Sequence, residues 1–118
     1  MTALDKLIEA VEAGEPGEFR KANRAAFSTP CQDIALQLRE EHCRYAFKGS
    51  LDAALALHEA LLPGRTLIVG QNAHHGGWNA WVRYAEDGTI LDEYTAASDT
   101  AARSLLLAIL RAYRSVQA

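Results

Sequence analysis

The apolar periodicity of this chain changes near its middle, and that change limits the folds open to it. From Leu4 to Leu62 apolar residues recur at helical spacing, with Leu4, Leu7, Ile8 and Val11 the clearest stripe. After Pro63-Gly64 the pattern shortens to that of strands, at about 65–71, 78–85 and 89–95. Asp87-Gly88, between the last two, suits a two-residue type I′ turn, whose central residues both need positive φ. Helical spacing then returns. The order is helices, three antiparallel strands and a closing helix, which is an α+β class.

Helices are predicted at about 2–13, 18–27, 30–45, 51–62 and 98–115. Their starts carry caps: Thr2 with Asp5, Thr29-Pro30 with Gln32, Ser50 with Asp52, and Ser98 with Asp99. Gly14-Glu15-Pro16-Gly17, Lys48-Gly49 and Pro63-Gly64 read as stops. Ile34, Leu36 and Leu38 should be buried on the third helix; Leu51, Ala54, Leu55, His58 and Leu62 should line one face of the fourth. A two-residue hairpin places Ala85 opposite Ile90, Tyr84 opposite Leu91, Arg83 opposite Asp92 and Trp81 opposite Tyr94. An ion pair and an aromatic pair would then share one sheet face, a protein-binding surface if no helix covers it.

On the last helix Ala102, Leu105, Leu106, Ile109, Tyr113 and Val116 form one stripe. Arg103, Arg111 and Arg114 lie on another side, with Leu107 among them. The apolar arc is wider than packing on one sheet requires, so a second helix or a second subunit should meet it. A homodimer is one expectation that follows.

At 118 residues the chain suits one domain, burying about two-thirds of its surface on folding; residues 1–27 are expected to pack at its periphery. A net charge of −3 disfavours nucleic acid as the main partner. No apolar run approaches the roughly 18 residues of a membrane span, and Met1–Asp5 does not read as a signal peptide. Cys31 and Cys43 lie about 18 Å apart if their helix is continuous, too far for a disulfide. Two free thiols fit a reducing cytoplasm.

Three groups of residues could carry chemistry. His74-His75 on a Gly-flanked loop, with Asn72 and Trp78, is the best candidate for a small-ligand site, and the alternative to a binding module is a small enzyme or metal binder centred there, yet no metal-ligand spacing supports it; the plainer explanation is an exposed strand connection. Cys31, His42 and Cys43 suggest a thiol–imidazole group, but His42 and Cys43 diverge by about 100° on a helix. The Arg103, Arg111 and Arg114 stripe offers weak nucleic-acid binding or a protein interface, while arginines late in a helix also complement its dipole. Trp81, Arg83, Tyr94 and Leu107 complete the candidate interface. No catalytic or cofactor motif is recognisable.

Three segments carry a family resemblance: Leu4–Ala13, Tyr45–Leu57 (YAFKGSLDAALAL) and Ala96–Ala112 (AASDTAARSLLLAILRA). Together they resemble the phage "ABA sandwich" proteins, with the NinX-like proteins as looser relatives. Asp99 stands where that family usually has Pro. The resemblance implies a layered α-β-α sandwich, phage or prophage origin and a host-cell setting, with no catalytic residues to carry over. The leading expectation for function is a non-enzymatic accessory protein that binds another protein, and the resemblance implies inhibition of host defence, such as anti-CRISPR action, as one version.

Overall fold

A computed structural model describes residues 1–28, 32–71 and 76–117. Thr2 caps α1 (Ala3–Ala13) through a reciprocal box with Asp5, and Gly14, at φ 73°, closes it in the left-handed conformation. α2 (Pro16–Phe27) begins two residues before its expected start. Glu15 accepts from the N–H groups of Gly17 and Glu18, and Pro16 takes the first turn, so the expected four-residue stop is a one-residue break followed by a cap.

The expected helix over 30–45 is two helices, α3 (Ile34–Gln37) and α4 (Arg39–Phe47), separated at Leu38. Its expected start at Thr29-Pro30 lies outside the described residues. Leu36 packs against the core, but Ile34 is 81% and Leu38 51% exposed. A single turn packed mainly on α4 and α5 cannot carry all three side chains inward. On α5 (Leu51–Leu61), capped by Ser50, the buried face is Ala53, Ala54, Leu57, His58 and Leu61, with Leu51 and Leu55 left exposed. Leucines occur on both sides of this helix, so packing against α4 and α6 decides which are covered.

The sheet comprises β1 (Thr66–Gln71), β2 (Trp78–Glu86) and β3 (Thr89–Ser98), antiparallel in that order. Asp87 and Gly88 both have positive φ, as the type I′ turn demands. Ala85 faces Ile90 as expected, but an irregularity between Tyr84 and Ala85 then shifts the register by one. Arg83 faces Glu93 instead of Asp92, and Trp81 faces Thr95 instead of Tyr94. A one-residue shift moves a side chain to the other face, so Trp81 and Tyr94 are not an aromatic pair. β3 also continues through Ser98, which pairs with Trp78; the Thr100 hydroxyl, not Ser98, accepts from Arg103 N–H at the start of α6 (Ala101–Gln117).

Every residue of α6 from Ser104 to Leu110 is buried. One side packs on all three strands, where Ala80, Val82 and Ala96 are buried; the other receives α1, α4 and α5. α1 therefore contributes Leu7 and Val11 to the core and is not peripheral. The class is α+β, with helices packed against a three-stranded antiparallel sheet. The layers run sheet, α6, outer helices, where the family resemblance implies helices on both faces. Ile68, Asn79, Trp81 and Arg83 lie on the far face, partly open to solvent. No helix among the described residues is long and apolar enough to cross a membrane.

Candidate cation-lined cleft

Among the described residues the predicted site residues do not gather in one place, although Trp81 and Arg111 border the same hollow. Asn72, His74 and His75 lie outside the described residues. Trp78 opens β2, between Gln71 and Ser98. Cys31 is likewise outside them, and Cys43 is buried, which pushes its thiol well above the usual range and leaves little thiolate to act as nucleophile. Trp81 and Arg83 share the open sheet face, where Arg83 forms an ion pair with Glu93. Tyr94 sits on the covered face and donates from its hydroxyl to Ser115 Oγ.

The arginine stripe is divided among internal partners. Arg111 donates to Thr95 O at 2.6 Å and pairs with Glu12 at 2.9 Å. Arg114 pairs with Asp5 at 3.1 Å. Bonds from Thr2, then the Arg114 guanidinium, hold the Asp5 carboxyl below its ordinary range. Leu107 is only 3% exposed, so it belongs to the core and not to an interface. The wide apolar arc that suggested a second subunit is filled by the chain's own helices.

Arg111 also borders an open hollow beside Asn79, Trp81 and Thr95, but Arg103 opens onto a cleft that it shares with other cations. The cleft, of about 350 Å³, lies between α2, α4 and α6. Its wall is built on a ring stack: Phe19 and Phe47 have centroids 3.9 Å apart and planes within 6°. The Arg103 guanidinium lies 4.3 Å from the Phe47 centroid, and its Nη2 donates to Phe47 O at 3.0 Å. This head is fixed by a ring face and a carbonyl, and among the described residues no carboxylate pairs with it.

Four further cations line the cleft. Arg20 and Arg24 are four apart on α2; Arg44 and Lys48 are four apart along α4 and its C-cap. Like charges at that spacing oppose helix formation by roughly 0.2–0.5 kcal/mol per pair, and here two such pairs border one cavity. Among the described residues only Arg44 of these four has an acidic partner, Glu41 at 3.9 Å on the surface. Five cations stand against one lining carboxylate, Glu40, in a chain of net charge −3. Asn23, 2% exposed, also lines the cleft; its Nδ2 donates to Glu40 O at 3.0 Å, while buried Oδ1 has no partner among the described residues.

From sequence a helix is expected at about 18–27, but of the cations of this cleft only Arg103 is singled out. The signal was present in Arg20/Arg24 and Arg44/Lys48 as paired i,i+4 like charges beside Phe19 and Phe47. That they face one another depends on the packing of α2 on α4. The chain matches no protein-family model, no curated protein and no solved structure.

Proposed function

We propose that this protein is a non-enzymatic accessory module of phage or prophage origin that acts in the host-cell cytoplasm by binding an acidic segment of another protein. The observation that carries this reading is the cleft itself. It gathers four surface cations and a fixed guanidinium around one apolar wall, although like charges repel and the whole chain is acidic. Such an arrangement is offset when an anion enters, and the low-dielectric ring stack strengthens the attraction. The phage origin is supported by the resemblance of Tyr45–Leu57 and Ala96–Ala112 to the ABA sandwich proteins. An acidic surface on a host defence complex is one partner of the required chemistry.

A fluorescein-labelled Glu-rich peptide provides the test. Anisotropy should report saturable binding that weakens steeply as salt is raised, since the exposed cations are screened. Arg20→Gln/Arg44→Gln should abolish binding, and Arg83→Gln, on the open sheet face, should preserve it. Binding indifferent to Arg20 and Arg44, or no binding at low salt, contradicts the reading.

A further inference from the structure

The cations of the cleft are contributed by three separate elements and not by one extended segment. Arg20 and Arg24 come from α2, Arg44 and Lys48 from the end of α4, and Arg103 from α6. An extended acidic peptide would neutralise such charges best if they were strung out at strand spacing, roughly 7 Å for every second residue. Here three elements converge on a cavity of about 350 Å³, a volume suited to one compact anion with its immediate surroundings. We propose that the cleft selects a phosphate monoester carried on a side chain of the partner protein, in preference to carboxylates; this rests on the reading of the cleft as the binding site.

Charge and shape both favour phosphate. A carboxylate brings one negative charge in a plane, whereas a phosphate monoester carries about −1.5 to −2 near neutral pH and three acceptor oxygens arranged tetrahedrally. Those oxygens can be approached from several directions, as cations on three helices require. Four of the five cations are arginines, whose planar forks bind phosphate oxygens in pairs. Arg103 is already oriented by Phe47, so less side-chain freedom is lost when it binds. Glu40 is the one lining carboxylate, and its backbone carbonyl is tied to Asn23.

Isothermal titration with one peptide in three forms, carrying central phosphoserine, Glu or Ser, tests the proposal. The phosphoserine form should bind at least about tenfold more tightly than the Glu form, and the Ser form more weakly still. Inorganic phosphate should compete only at much higher concentration than the phosphopeptide. Arg20→Gln and Arg44→Gln should each remove most of the phosphoserine preference, with unchanged far-UV circular dichroism showing that the exposed substitutions leave the fold intact. Equal binding of the phosphoserine and Glu peptides overturns the phosphate proposal and leaves the acidic-segment reading standing. No binding of either peptide overturns both. Inorganic phosphate as tight as the phosphopeptide overturns the assignment to a partner's side chain.

Discussion

His58 shows how one side chain can set a pH limit on this fold. It lies on α5 at 2% exposure, with Nε2 unpartnered among the described residues. Burial lowers its pKa below the ordinary 6.5, with nearby Arg65 adding to the effect and Glu59 opposing it. Well above 6.5 the group is neutral in both states and adds no pH dependence. As pH falls below 6.5 the unfolded chain takes up a proton that the folded chain resists, so stability should decline through that window. Urea denaturation at pH 7.5 and 5.5 should show the loss, and His58→Leu should remove most of it. At Gly77, with φ 76°, an added Cβ would meet Ser98 O at 2.8 Å. Gly77→Ala should therefore cost about 2 kcal/mol in the same assay, through backbone strain at the mouth of the sheet.

Among the elements, those with local signals were legible and those set by packing were not. The Thr2 box, the Ser50 cap and the Asp87-Gly88 turn depend on residues close in sequence, and each forms as read. The start of α6 was misplaced because Ser98-Asp99 and Thr100 offer competing caps, and pairing of Ser98 with Trp78 decides between them. Thr100→Ala should accordingly cost about 1 kcal/mol of stability and Ser98→Ala less, measured by chemical denaturation. The register slip beside Tyr84 had no local signature. Its effect is visible in Arg83, whose ion pair formed with the neighbouring acid, Glu93. The cleft was least legible because its two cationic edges and Arg103 are joined only by tertiary packing.

For the molecule as a whole, α6 is the organising element. Its buried run separates the sheet from the outer helices, so its leucines contact both layers. Leu106→Ala should cost about 2–5 kcal/mol, a cavity penalty at a fully buried site that calorimetry or urea titration can measure. Because this surface is consumed internally, light scattering should give the monomer mass of 12.9 kDa. The same packing brings α2, α4 and Arg103 together around the cleft. Chemical-shift mapping of the ¹⁵N-labelled protein against a Glu-rich peptide is the most direct test of that assignment. Shifts should concentrate on Arg20, Asn23, Arg44, Phe47 and Arg103; shifts confined to Trp81, Arg83 and their neighbours on the open sheet face would contradict it.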